Sequence, residues 1–389
     1  MNTDACGFVA SGYEAVADEF HNAFACNPTM GAALAIRVDG HPVVDLWGGL
    51  ADARTEQPWK EDTASVVFSC TKGLSAILAA RLVEEGRLAY EAPVARYWPE
   101  YAVAGKETTT VGDLLAHRAG LSAPRVDLTV DDVLDWQRMA QVLQEQQPLW
   151  QPGADYAYHA ITHGWLIGQV MRNVTGSSVG EYFQKLVAGP LHADAWIGLP
   201  ERQRDRIAHQ TVGATLSTLV ADQAAARDLS APDWLDRAMT LGGAFDATLV
   251  GEHTGFNDYS VQAAEIPGAG GIATARALAA IWSATVTETD GVRLLSRDTT
   301  DAATRVQSEG APFFTTEGPY SRWGMGFQLD SEARRYLTPQ GFGHDGAGGQ
   351  VAFAEPDLKV GFAFTTNLME AGDARGTAIV NALRQTLGA

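Results

Sequence analysis

The stretch FSCTKGLSAILAARLVEEG, Phe68–Gly86, decides how the rest of the chain is read. The apolar run ASVVF leads into Ser69, and LSAILAARLV continues with apolar residues at helical spacing, so Ser69 falls at the first turn of a buried helix. Ser69 and Lys72 stand three positions apart, which sets both side chains on one helix face with the amine in reach of the hydroxyl. The lysines of the chain are Lys60, Lys72, Lys106, Lys185 and Lys359, and Lys72 alone has a serine three residues before it.

A serine hydroxyl is a poor nucleophile until its proton is removed, and a lysine whose charged form is disfavoured by burial can remove it. A helix N-terminus adds unpaired N–H groups and a positive dipole end beside a developing oxyanion. The non-catalytic reading makes Ser69 an N-cap and sends Lys72 outward to solvent. The segment GLSAILAA after Lys72 is an apolar setting in which such a lysine is awkward.

The whole chain bounds these readings. Its 389 residues, 46% hydrophobic and 19% charged, are enough for a sizeable core and point to two structural lobes. The net charge of -19, without a Lys/Arg cluster, repels a nucleic-acid backbone or an anionic bilayer, so neither is an expected partner. Cys6, Cys26 and Cys70 are odd in number and lack CxxC spacing, which argues against a disulfide framework or a cysteine zinc site and for a reducing compartment. The segment MNTDACGFVASGYEAVADEF lacks a basic stretch followed by an apolar run, and no segment approaches the roughly 20 apolar residues of a membrane span. A cytoplasmic location is therefore expected. Asn173-Val174-Thr175 matches a glycosylation sequon but reads as the end of a helix running into Gly176.

Near one end, YEAVADEFHNAF is helical and AALAIRVDGHPVVDLWGG reads as a β-hairpin about Asp39-Gly40. Near the other, RWGMGFQL, GGQVAFAEP and KVGFAFTTN are strand-like, and the helix GTAIVNALRQTL follows. Between them lie helical patterns, TVGDLLAHRAG, DDVLDWQRMAQVLQEQ, ITHGWLIGQVMRNVTG and VGEYFQKLVAGPL, while PERQRDRIA reads as a mixed-charge loop or helix start. The predicted class is α+β: an antiparallel sheet flanked by helices from residues 1–85 and 265–389, a mainly helical lobe inserted over 86–264, and an active site between them.

The Ser-x-x-Lys element resembles that of the serine β-lactamase and penicillin-binding protein superfamily, and the rest of the chain looks most like its class C-related esterases, the family VIII carboxylesterases. The resemblance runs through TVGDLLAHRAGLSAP, WQPGADYAYHAITHGWLIGQVMRNVTG, PGAGGIATARALAAIW and GFGHDGAGGQVAFAEPDLKVGFAFTTN, in order. It implies an acyl-enzyme on Ser69, with Lys72 and a tyrosine, Tyr158, as its proton-transfer partners; which of the two takes the first proton is left open. Tyr156 is nearby and reads as packing. Ala160 stands where many relatives have asparagine, and His344-Asp345-Gly346 stands in place of Lys-Thr-Gly on the facing strand. The oxyanion hole implied by the resemblance joins the N–H groups of Ser69 and Ala347. Gly346 and the glycines after it would let substrate approach the strand, and His344 would touch substrate while holding a carboxylate less well than lysine. These departures imply short, uncharged esters as substrates and weak recognition of penicillin-type amides, without a cofactor or metal.

Other readings compete. The Gly-x-Ser-x-Gly match at Gly176–Gly180 follows a helical pattern and not a strand, so it does not anchor an α/β-hydrolase elbow. His159 and His163 stand four apart without the glutamate of HExxH and read as structural, and Cys70 reads as a small buried side chain. Trp47, Trp136, Trp150, Trp165 and Trp323 can line an acyl or alcohol pocket or belong to the core. An acyltransferase, a β-lactamase or peptidase using the same acyl-enzyme, and an idle binding module are the alternatives to an esterase. Nothing in the sequence speaks to oligomeric state.

Overall fold

The computed structural model describes residues 5–25, 27–228, 230–314 and 317–389; Met1–Asp4 and Cys26 lie outside the described residues. Its largest feature is an antiparallel sheet. Across it, Cys6–Val9 pairs with His41–Asp52, which pairs with Gly31–Val38; then come Val360–Thr366, Gln350–Glu355, Phe342–Gly346, Gln328–Leu329 and, at the edge, Arg322–Trp323. The hairpin turn is Asp39-Gly40, with φ of 48° and 82°, the left-handed pair that a two-residue turn between right-twisted strands requires. The two ends of the chain meet in the middle of the sheet, where Val360 faces Val38 and Thr366 faces Ala32.

The two faces of this sheet differ in side-chain size. Ala33, Ala35, Ala352, Ala354 and Ala363 point to one side, where the helix Ala275–Val286 lies close. A Cβ on Gly361 would stand 2.3 Å from the carbonyl oxygen of Ala279, so only a residue without a side chain fits beneath that helix. Leu34, Ile36, Val351, Phe353, Phe362 and Phe364 point to the other side, into a core completed by Val16, Phe20, Ile379, Val380 and Leu383 of the helices Glu14–Asn22 and Arg375–Leu387. Truncating a phenylalanine there to alanine costs about 3–5 kcal/mol. Both faces are covered, which is why QVAFAE and VGFAFTT read as nearly continuous apolar runs.

The middle of the chain forms the helices Val111–Leu115, Val130–Leu134, Trp136–Glu145, Thr162–Thr175 and Val179–Phe183. Three of them start on reciprocal capping boxes, Thr110 with Asp113, Thr129 with Asp132 and Ser178 with Glu181. Asn173-Val174-Thr175 is the last turn of its helix, closed by Gly176 in the left-handed conformation. The mixed-charge segment is a short 3-10 stretch, Glu201–Arg206. Among the described residues no helix is long and apolar enough to cross a membrane.

A second, three-stranded antiparallel sheet joins Ser65–Phe68, Gly271–Ala273 and Ala195–Ile197. Its strand Ser65–Phe68 delivers the chain to Ser69 through Phe68, whose φ of +43° is a strained value for a bulky side chain. Phe68 is held there by burial and by an edge-on contact with Phe256, ring centroids 5.4 Å apart. The helix Cys70–Glu84 then runs through the interior, buried on all sides over most of its length, consistent with its lack of a polar face.

Candidate active site

Ser69 immediately precedes the Cys70–Glu84 helix, and its side chain caps none of the helix N–H groups. Ser69 holds the N-cap position, but its hydroxyl is turned toward Lys72 and Tyr158. Lys72 Nζ lies 2.8 Å from Ser69 Oγ and the hydroxyl of Tyr158 donates to the same oxygen at 2.8 Å. Lys72 does not reach solvent either. It is fully buried, and its Nζ donates to the main-chain carbonyls of Ala160 at 2.5 Å and Gly268 at 2.7 Å.

Burial is the main cause that drives the Lys72 pKa well below that of an ordinary lysine. A neutral amine has two N–H donors and one lone pair. The two carbonyls take both donors, which leaves the lone pair for the Ser69 hydroxyl. Tyr158 is pushed the other way: burial raises its pKa above that of a free phenol, and the bond to Ser69 offsets this only in part. Burial thus favours a neutral amine at Lys72, the form able to accept a proton, and a protonated phenol at Tyr158, the form able to donate one.

Ala160 contacts Lys72 through its carbonyl, which any residue would supply. Tyr156 sends its hydroxyl away from Ser69 to the carbonyl of Gly310, although its ring lines the same cavity. That cavity, about 400 Å³, is lined by Ser69, Tyr158, His344, Asp345, Gly346 and Ala347 together with Met239, Pro312, Pro319, Tyr320 and Trp323. Trp136 and Trp165 pack near each other, Trp150 packs on His159, and Trp47 lies beneath Arg276.

His344 lines the cavity but is only 2% exposed. Its Nδ1 is 2.7 Å from the Asp345 carbonyl oxygen, so Nδ1 carries the proton and Nε2 presents a bare lone pair. Burial, then the neighbouring Lys72, lowers its pKa to about 3, which keeps it neutral. Gly346 lies against the strand before Ser69: a Cβ there would come within 2.2 Å of the Val67 carbonyl oxygen. Its immediate effect is to let the Phe342–Gly346 strand close on the nucleophile's strand. Behind this strand, Arg334 Nε stands 2.9 Å from Asp345 Oδ2, and the Asp345 N–H donates to Gln328 Oε1 at 3.0 Å.

Cys70 is fully buried and its thiol pKa is raised well above the ordinary value, chiefly by burial, so it is a poor nucleophile despite its position. His159 and His163 belong to a packed histidine group with His117, ring centroids 5.6 and 4.9 Å from the latter. Among the described residues no group of three His, Cys, Asp or Glu side chains is arranged to hold a metal ion. His117 was not singled out from the sequence. It follows the short helix Val111–Leu115, and its φ of 62° falls where glycine is the usual sign.

The sequence profile of the family described as Beta-lactamase matches residues 22–386. The chain belongs to the β-lactamase family. Among its relatives, the esterase/beta-lactamase LipL of Mycobacterium tuberculosis is 37% identical over 347 residues, covering 87% of this chain and 77% of LipL. A crystal structure of a family VIII carboxylesterase superposes with a TM-score of 0.86 at 33% identity, covering 98% of this chain and 100% of that one. A penicillin-binding protein homologue from Caulobacter crescentus superposes with a TM-score of 0.84 at 34% identity, covering 99% and 100%. The β-lactamase-like fold accounts for an antiparallel sheet with flanking helices, and the resemblance to family VIII carboxylesterases extends over nearly the whole chain.

Proposed function

We propose that this β-lactamase-family serine hydrolase is a carboxylesterase that cleaves short, uncharged esters through an acyl-enzyme on Ser69. The observation that carries the proposal is the convergence of Lys72 Nζ and the Tyr158 hydroxyl on Ser69 Oγ, each at 2.8 Å. The relatives named as esterases support the same reading.

The protonation states order the steps. Ser69 gives its proton to neutral Lys72 as Oγ bonds to the ester carbonyl carbon, and the carbonyl electron pair moves onto oxygen. That oxyanion is met by the N–H groups of Ser69 and Ala347, a type of contact worth about 10²- to 10³-fold each. Collapse breaks the bond to the alcohol oxygen, which takes the Tyr158 proton and leaves; the Lys72 ammonium restores the phenol. Water then repeats the sequence on the acyl group, giving its proton to the amine and releasing the acid and free Ser69.

The lining of the cavity supports this substrate class. No lysine or arginine lines it among the described residues, and His344, neutral and with its Nε2 buried, gives a carboxylate neither charge nor donor. The prolines, Met239, Tyr320 and Trp323 of its lining suit a small apolar group. Opening of a β-lactam ring is the second reading, favoured by the likeness to LipL, an esterase/beta-lactamase.

The test compares kcat/KM for p-nitrophenyl acetate with that for a chromogenic cephalosporin, monitored at the lactam ring. Missing amide and carboxylate contacts, at about 1–3 kcal/mol each, should leave the lactam slower by a few orders of magnitude. A ring-opening rate equal to the ester rate refutes the assignment. A fluorophosphonate should add mass at Ser69, and S69A should abolish both labelling and turnover while remaining folded.

A further inference from the structure

Tyr158 is flanked by two main-chain amides, and one residue holds both. The N–H of Ala157 donates to the carbonyl of His117 at 3.1 Å, and the N–H of His159 donates to His117 Nδ1 at 3.2 Å. The His117 ring also meets the Tyr158 ring edge-on, centroids 5.0 Å apart and planes at 62°. Trp323 and His163 close in on it at 4.6 and 4.9 Å, and the side chain is fully buried.

The hydrogen bonds settle the chemistry of this ring. An Nδ1 that accepts from an amide carries no proton, so His117 is a neutral imidazole with its hydrogen on Nε2. Protonating it would break the bond to His159 N–H in a buried space that already faces Lys72, His159, His163 and His344. Burial, then those neighbours, holds its pKa well below the ordinary value. The backbone conformation is also specific: at φ of 62° most side chains are strained, histidine and asparagine less than others. Glycine would adopt it more easily but would offer no acceptor.

We infer that His117 is a positioning residue, which sets the Tyr158 hydroxyl on Ser69 by gripping the backbone on either side of it. The inference rests on the proposed role of Tyr158 as proton donor. It assigns His117 no contact with substrate; the residue acts through the tyrosine.

Three substitutions separate the grip from mere packing. H117N keeps a conformation tolerant of positive φ and supplies an amide oxygen as acceptor. H117G accepts the conformation and removes the acceptor, and H117L removes the acceptor while filling the space. Each is made in the wild-type and Y158F backgrounds, and kcat and KM for p-nitrophenyl acetate are measured together with thermal unfolding. H117G and H117L should lose about 10²-fold in kcat, the scale of a small misplacement of a reacting group, with KM little changed, while H117N stays near wild type. In Y158F, H117G should cause almost no further loss. Should H117G not fold, H117L carries the comparison. An H117N loss as large as that of H117L overturns the inference, as does an equal H117G factor in both backgrounds. Full activity of Y158F alone overturns the role of Tyr158 itself, and this inference with it.

Discussion

Tyr158 lies face to face with Trp323, ring centroids 5.2 Å apart and planes 16° from parallel. Trp323 belongs to the outermost strand of the sheet, so the edge of the sheet supplies the surface on which the Tyr158 ring rests. Trp323→Phe keeps a flat partner and should keep most of the activity. Trp323→Ala removes a contact worth about 0.5–1.5 kcal/mol, which corresponds to a fall in kcat of up to about tenfold. The measurement is kcat well below the unfolding temperature, because the same truncation also weakens the core. An alanine variant as fast as wild type would show that the stacking does not orient Tyr158.

Lys72→Ala and Tyr158→Phe should each slow acylation by about 10²- to 10⁴-fold, the range for a positioned acid or base. The two losses should not multiply, because the proton that Lys72 takes from Ser69 replaces the one that Tyr158 gives to the leaving alcohol, so both groups act in one relay. Lys72→Ala should also lower stability, since it strips the buried carbonyls of Ala160 and Gly268 of their donor at about 1–3 kcal/mol each. Single-turnover acylation of the double variant decides the first point: a rate equal to the product of the single losses would mean independent action.

The pH dependence of kcat/KM follows from Lys72. Only its neutral form has a lone pair for Ser69, so activity rises with pH through the Lys72 pKa and falls below it. Burial lowers that pKa from 10.5, so the acid limb should lie well below the range of an ordinary lysine. Lys72→Arg, whose guanidinium does not deprotonate, should be inactive across the profile. Recovery of the arginine variant at any accessible pH would exclude general-base action at this position.

Stability should fall on the acid side as the buried histidines come to titrate. Burial is the leading cause that lowers His159 from 6.5 to about 4 and His344 from 6.5 to about 3, and His117 and His163 also lie well below 6.5. In each case the unfolded chain binds the proton first. The stability associated with the neutral rings is complete above pH 6.5 and is lost as pH drops toward the folded values, by up to about 1.4 kcal/mol per pH unit for each ring. Urea midpoints at pH 7 and pH 5 test this; equal midpoints would mean that these rings are already protonated in the folded protein.

What was legible in the sequence was what is local. The Ser69–Lys72 pair shows itself because both residues sit at one helix start, and the hairpin at Asp39-Gly40 because its turn chemistry is self-contained. Tyr158 emerged from the resemblance, not from spacing. The strands Ser65–Phe68, Ala195–Ile197 and Gly271–Ala273 are buried and too short for alternation to register. The helix Ala214–Ala226 has no buried residue, hence no apolar stripe to reveal it. His117 stayed hidden because the atoms it holds are about Tyr158, some 40 positions further along the chain.

The groups at the centre of the site take their orientation from main-chain atoms. Lys72 is aimed by the carbonyls of Ala160 and Gly268, His344 by that of Asp345, and His159 by the Ala157 carbonyl and the Leu121 amide. Every amino acid brings the same carbonyl. An asparagine can therefore be exchanged for Ala160 in the course of divergence while the lysine keeps its aim, and substrate preference is free to drift at the side chains without disturbing the catalytic apparatus beneath. The heritable unit here is the path of the backbone, and relatives with few shared residues around the cavity can still inherit the same reaction.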